Sequence, residues 1–427
     1  RERGEISRFT KNERSWVLYD WANSAYSIII TTAVFPLFYE SITPERIYVA
    51  TWGFANSGAS LIIAILAPVL GTIADYRGNK KRFFSAFFTV GVASTLALAL
   101  FEQGEWLPAL MVYVASAIGF SGANIFYDSF LTDVSGPERM DWVSANGFGW
   151  GYIGSTIPFV VSLLIIMNSD ALGFARSTTA VRLAFLLTGL WWLFFAVPML
   201  KNVRQRYFVA PSPTPIRDSF ARLAETFRHV RQYRQVFLFL AAYFFYIDGV
   251  DTIIRMATPI ARSMGIESNM LLIILLAIQV VAFPFAILYG RLAERFSARK
   301  MLFVGIGVYI VVVFVAFFLP SFEDLGVRTT LFWVLSMLVA SSQGGIQALS
   351  RSFYGKLIPP EKSAEFFGFY NIFGKFAAIM GPMLVGGFTL ITGKERFGIL
   401  SVLILFVAGG ILLRNVKEPE VGHPAEE

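Results

Sequence analysis

Cysteine is absent, histidine nearly so, and charge is scarce. With no thiol in the chain, disulfides, thiolate metal sites and cysteine nucleophiles are excluded. The two histidines, His229 and His423, fall in polar segments where solvated surface positions account for them, so no metal site is expected. Only 15% of the 427 residues are Asp, Glu, Lys or Arg, and these are clustered; a soluble domain carries about a quarter charged residues. There is no Walker loop, no Rossmann fingerprint and no histidine partner for a serine within the apolar runs, so neither a catalytic residue nor a cofactor is expected. A multi-span enzyme working through buried carboxylates, and a channel or lipid scramblase, remain as alternatives to a carrier.

What is abundant is hydrocarbon: 56% of residues are hydrophobic and the mean hydropathy is +0.60. A bilayer core of about 30 Å needs about 20 helical residues. Runs of that size are expected at 16–39, 48–73, 83–101, 108–133, 143–167, 181–200, 236–260, 270–289, 301–319, 328–351, 366–392 and 397–413. The expected fold is therefore an all-α integral membrane protein of twelve transmembrane helices. The charged opening RERGEISRFTKNERS has no apolar core or cleavage site, so the first helix is expected to act as an uncleaved anchor.

Lys and Arg set orientation. With a cytoplasmic N-terminus, about three-quarters of the 36 basic residues lie in cytoplasmic segments, and both termini are expected there. The net charge of +7 then reflects topology and attraction to membrane lipids, with no nucleic acid as partner.

The longest connection divides the runs six and six. The expected domains are 1–200, an N-terminal six-helix bundle; 201–235, a cytoplasmic linker; and 236–427, a C-terminal six-helix bundle with a short tail. Within the linker, Thr214 can cap and Pro215 can open a helix in which Phe220, Leu223, Phe227 and Val230 share a face. Arg217, Arg222, Arg228, Arg231 and Arg234 cover the remainder, the pattern of a helix lying on the cytoplasmic membrane surface, although a plain basic linker has the same composition.

The halves repeat each other. Gly71-Thr-Ile-Ala-Asp75-Tyr-Arg77-Gly78-Asn-Lys80-Lys81-Arg82 follows the second run, and Gly290-Arg-Leu-Ala-Glu294-Arg295-Phe-Ser-Ala-Arg299-Lys300 follows the eighth. Asp128-Ser-Phe-Leu-Thr-Asp133-Val-Ser-Gly-Pro137 lines up with Arg351-Ser-Phe-Tyr-Gly-Lys356-Leu-Ile-Pro-Pro360. Repeated halves of a transporter place the binding site near the midplane.

The pattern Gly71-x3-Asp75-x-Arg77-Gly78-x-Lys80-Lys81 resembles the cytoplasmic gating motif of the major facilitator superfamily. Within it, LYDWANSAYS, Gly344-Gly-Ile-Gln-Ala-Leu-Ser-Arg351 and Ala364-Glu-Phe-Phe-Gly-Phe-Tyr-Asn371 are similar to the family of the autophagy-related vacuolar amino-acid effluxer and its bacterial relatives. The resemblance implies two six-helix pseudo-symmetric bundles, alternating access, and efflux of an amino acid or related small solute. It also implies residence in a bacterial plasma membrane, or a vacuolar membrane in a eukaryote, as a monomer. The second-half loop departs from the motif, with Phe296 and Ser297 where the first half has Arg77 and Gly78.

In the superfamily the first, fourth, seventh and tenth helices line the cavity, and this chain concentrates intramembrane polar residues on those helices. Asp20, Asn23, Ser24 and Ser27 make a stripe at helical spacing on the first. Asn124 and Asp128 lie one turn apart on the fourth; Gln343, Gln347 and Arg351 follow each other by single turns on the tenth. The repeat sets Asp128 against Arg351 and Asp133 against Lys356, which suggests an inner ion pair and a further outer one that gate, with static pairs, or charges that snorkel to the cytoplasmic interface, as the alternative. On the seventh, Asp248, Asp251, Thr252 and Arg255 share a face, with Asp251 and Arg255 spaced for an intrahelical pair. Asp248, near mid-span, is the first candidate for proton coupling and Asp20 the second; a fixed charge that orients substrate is the alternative for each. Lys375 on the eleventh either compensates an aspartate or meets a substrate carboxylate. An amino-acid-like solute fits charges of both signs, and so does a phosphorylated solute or a zwitterionic lipid headgroup.

Overall fold

The computed structural model describes residues 9–174, 177–228 and 232–419. Twelve helices there are long and apolar enough to cross a membrane: Lys11–Ile42, Glu45–Ala74, Asn79–Leu100, Trp106–Val134, Met140–Met167, Thr178–Asn202, Arg234–Ala257, Met270–Phe296, Ala298–Ser321, Leu325–Leu357, Pro360–Thr392 and Glu395–Arg414. Among the described residues no strand forms, and the sole β-type contact is an isolated bridge between Tyr76 and Val209. The expected class and span number therefore hold.

The helices outrun the apolar runs because polar residues cap them. Thr10 and Glu13 form a reciprocal capping box ahead of the first span, with the Glu13 amide donating to Thr10 Oγ1 at 3.2 Å and the Thr10 amide to Glu13 Oε2 at 2.8 Å. Asp324 caps the tenth by accepting the Val327 amide at 2.8 Å. Leu61, Ile65, Leu164, Phe194, Ile273 and Ile404 stay exposed on span surfaces, as helix faces turned to lipid do.

Two local departures matter. The first span is α-helical over Lys11–Tyr26, π-helical over Ser27–Ala33 and α-helical again over Val34–Ile42. Ser27, Thr31 and Thr32 are exposed on the wider segment, and Thr32 Oγ1 donates to the Ser27 carbonyl at 2.9 Å. A π-segment inside a helix shifts side-chain register and is frequent at functional sites. The second departure is at the repeated loops: Gly78 precedes the third span at φ +80° and Ser297 precedes the ninth at φ +119°. The second half thus builds its left-handed turn from a residue with a Cβ, which is strained.

The chain forms two compact units. The first comprises Arg1–Ser135, Trp150–Ala224 and Pro359–Phe369; the second comprises Gly136–Gly149, Glu225–Ile358 and Tyr370–Glu427. In the linker, helix Pro215–Arg228 forms with Pro215 at its opening. Its buried residues are Ser219 and Thr226, flanked by half-buried Arg222 and Leu223, while Phe220 is exposed. Of the expected apolar face, Leu223 is thus half-buried and Phe220 exposed, and the side chain of Phe227 lies outside what the structure describes. Val230 and Arg231, assigned to the same helix, lie outside the described residues, as do both histidines.

Candidate functional site

The loop motif after the second span is built around one carboxylate. Asp75 ends the second span with no exposed surface, and its Oδ1 and Oδ2 accept the amides of Ala364 and Glu365 at 2.9 and 3.0 Å. Those amides belong to the first turn of helix Ser363–Thr392, whose unpaired N–H groups and dipole favour an anion. Gly71 makes the approach feasible, since a Cβ there would overlap the Ala364 carbonyl oxygen and lie 2.8 Å from its carbon. Burial pushes the Asp75 carboxyl up to about 8, against the opposing pull of Lys80 and the two amides.

Lys80, 0% exposed, donates to Asp133 Oδ2 and to Ser363 Oγ, each at 2.7 Å. Asp133 Oδ1 in turn accepts the amides of Arg206 and Tyr207. Gly78 donates its amide to Gln205 Oε1 at 2.8 Å. Lys81 Nζ donates to the carbonyls of Met199 and Val203 at 2.6 and 2.7 Å, closing the end of the sixth span. Arg77 stays at the rim, its guanidinium 5.4 Å from the Phe208 ring centre. Sequence reasoning missed Gln205 and Ser363, for which no local signal exists. Asp133 was visible in the repeat but was matched to the wrong cation. The expected outer pair of Asp133 and Lys356 is corrected: Lys356 Nζ binds Asp141 Oδ2 at 2.6 Å in the second unit, while Asp133 binds Lys80 in the first. Repeat alignment pairs positions by symmetry, whereas each charge takes the nearest opposite charge that burial makes available.

Within the first unit, the stripes on the first and fourth spans meet. Asn23 Nδ2 donates to Asn124 Oδ1 at 2.7 Å. Asp20, one turn earlier, is 8% exposed, and Asp128, one turn beyond Asn124, is half-buried. Both carboxylates act electrostatically on Tyr19, whose ring is tilted at 41° to that of Tyr127 with centres 4.7 Å apart. Gly151 and Gly154 bring the fifth span against Ser24 and the Trp21 backbone, the close packing their spacing suggests.

In the second unit, Asp248 is 0% exposed and both its oxygens accept the Gly381 amide, at 3.0 and 2.9 Å. Thr252 Oγ1 donates to Asp248 Oδ1 at 3.3 Å. Pro382 follows Gly381 inside the continuous helix of the eleventh span and has no amide of its own to donate. A Cβ at Gly381 would overlap Thr252 Oγ1 and stand 2.8 Å from Asp248 Oδ1. Gly381 was missed, although a Gly-Pro pair within an apolar run is the signal that marks such sites. Asp251 is half-buried and Arg255, one turn on, is exposed, with the two charges acting on each other electrostatically.

Arg351, 3% exposed, donates from Nε to Ser144 Oγ at 3.0 Å and from Nη2 to the Ser144 carbonyl at 3.1 Å. Its guanidinium lies 4.4 Å from the Phe148 ring centre. Asp128 belongs to the first unit and Arg351 to the second. Gln347, one turn before Arg351, is half-buried and makes no hydrogen bond among the described residues; Lys375 is half-buried on the eleventh span. No group of three or more His, Cys, Asp or Glu among the described residues could hold a metal ion.

Comparison with known proteins places these features. Residues 48–420 match the family described as vacuole effluxer Atg22 like. A Bacillus subtilis protein described as an uncharacterized MFS-type transporter, YxiO, is 53% identical over 97% of this chain and 96% of its own. Autophagy-related protein 22 of Saccharomyces cerevisiae is 25% identical over 90% of this chain and 81% of its own. Among solved structures, the proton:xylose symporter XylE superposes with a TM-score of 0.71 at 14% identity, covering 96% of both chains. The outward conformation of FucP superposes with 0.70 at 15% identity, covering 94% of this chain and 98% of that one. At such identities the structures speak to the fold alone.

Proposed function

Because the chain belongs to the Atg22-like family of vacuole effluxers, with the major facilitator fold, we propose that it exports a small zwitterionic, amino-acid-like solute by alternating access, driven by protons. Transport, and not enzymatic chemistry, is the property its relatives share. The observation that carries the substrate class is the presence of both charge signs inside apolar spans: Asp20, Asp248 and Asp251 against Arg255, Arg351 and Lys375. An ion in hydrocarbon costs roughly 2.5–3.5 kcal/mol on insertion scales, so it is retained where it meets water, a partner or a solute. Arg351 is committed to Ser144 and Phe148, so the substrate carboxylate is assigned to exposed Arg255, with Lys375 as the alternative for the same role. Within the first unit, Asp20, beside the Asn23–Asn124 contact, is assigned separately as a substrate or gating contact.

Proton coupling is assigned to Asp248. Both its oxygens accept one backbone amide, that of Gly381, beside Pro382 in the eleventh span. Protonation turns one oxygen into a donor, removes one of those acceptors and loosens the seventh span from the eleventh.

A thermal-shift screen of the purified protein against amino acids, dipeptides, sugars and phosphorylated solutes tests the substrate class. Amino acids are expected to raise Tm with the logarithm of concentration; a response confined to phosphorylated solutes would move the reading to a phosphate-bearing substrate. In proteoliposomes, Asp248→Asn is expected to abolish accumulation driven by a pH gradient while leaving solute exchange. Gradient-driven accumulation that survives this change removes Asp248 as the coupling group.

A further inference from the structure

The segment after the sixth span is tied to the gating loop at several points. Gln205 Oε1 accepts the Gly78 amide and its Nε2 donates to the Ala74 carbonyl. The Val209 amide donates to the Asp75 carbonyl at 3.0 Å. Helix Pro215–Arg228 then returns to the same loop, where Arg222 Nη2 donates to the Thr72 carbonyl and the guanidinium lies 4.7 Å from the Tyr76 ring centre. All of these contacts bracket Asp75, whose carboxylate holds the first turn of helix Ser363–Thr392.

Among the described residues, one face of the linker helix is committed to protein. Ser219 and Thr226 are buried, with Arg222 and Leu223 half-buried beside them. At about 100° per residue, Ile216 and Phe220 project roughly a quarter-turn from that face, and Arg217 and Arg228 roughly half a turn. All four are exposed, Ile216 at 62% and Phe220 at 53%. An apolar edge next to a basic edge is the cross-section of a helix lying in the interface of an anionic bilayer. The contact with the loop is also incompletely satisfied, because Arg222 Nε and Nη1 are buried and find no acceptor among the described residues. A helix docked with unmet donors is readily released unless something else holds it.

We propose that helix Pro215–Arg228 senses anionic phospholipid: seated on lipid headgroups through Ile216, Phe220, Arg217 and Arg228, it presses Arg222 onto the Thr72–Tyr76 loop and so keeps Asp75 on the N-terminus of the eleventh span. The helix is then a lipid-operated latch on the gating motif. The proposal is independent of the substrate, because its readout is the order of the loop and not flux.

Hydrogen exchange of the full chain in nanodiscs of phosphatidylcholine, with and without about a third phosphatidylglycerol, tests it. Peptides covering 72–78 and 363–366 are expected to exchange about tenfold more slowly with the anionic lipid. The Arg217→Gln/Arg228→Gln double variant is expected to lose that difference while exchanging like wild type in phosphatidylcholine. Equal exchange of wild type in both lipids overturns the proposal, and so does a lipid difference that persists in the double variant. Free phosphate added to phosphatidylcholine nanodiscs is expected to do nothing; slowing by phosphate alone would rule out a lipid surface as the ligand. Independently, because the chain has no cysteine, a fluorophore on Ile216→Cys is expected to be quenched by brominated acyl chains, and an unquenched signal places the helix off the membrane.

Discussion

At Asp75 two opposing effects meet on one carboxyl group. Removal from water favours the neutral acid, while Lys80 and two amides favour the anion, and burial prevails, with the carboxyl pushed from its ordinary 3.8 up to about 8. A group that binds its proton more tightly when folded contributes stability that is complete below pH of about 4 and lost as pH rises towards 8. Asp75→Asn cannot ionise, so wild type is expected to lose Tm in detergent relative to this variant between pH 5 and 8. Parallel pH profiles of the two proteins would disprove the shift. Asp75, Gly71, Lys80 and Lys81 were legible because a loop motif spaces them along the chain. Gln205, Ser363 and the true partner of Asp133 were not, since each is brought there from a remote segment.

The eleventh span illustrates what an element owes to its neighbour. Hydropathy finds the helix, but not that its amide at Gly381 is taken by a carboxylate on the seventh span. Gly381→Ala is expected to destabilise by about 1–3 kcal/mol through overpacking. Thr252→Ala removes the oxygen that the new Cβ would strike, so the double variant should recover part of the loss. Strict additivity in denaturation of the four proteins would refute the contact. The first span teaches a related lesson. Reading it at α-helical spacing placed Asp20, Asn23, Ser24 and Ser27 on one stripe, and the π-helical segment after Tyr26 extends exposed polar residues to Thr31 and Thr32. Periodicity assumes a constant turn, and the sequence carries no plain mark of where the turn widens.

For the whole molecule, orientation can be tested cleanly because the chain has no cysteine of its own. Gln103→Cys, in the loop between the third and fourth spans, should react with a membrane-impermeant maleimide on intact cells. Pro213→Cys and Lys417→Cys should react only after permeabilisation; the reverse pattern would invert the topology. What the sequence by itself determined was the class, the twelve spans and the family, because lipid solvation constrains every residue of a span and leaves a signal along the chain. Tertiary structure alone decided which buried charge meets which: Lys80 with Asp133, Lys356 with Asp141, Arg351 with Ser144, and Asp248 with the amide of Gly381. Charges in a low-dielectric interior are satisfied by whatever packing brings within hydrogen-bond reach, and that proximity is a property of the folded chain that spacing does not encode.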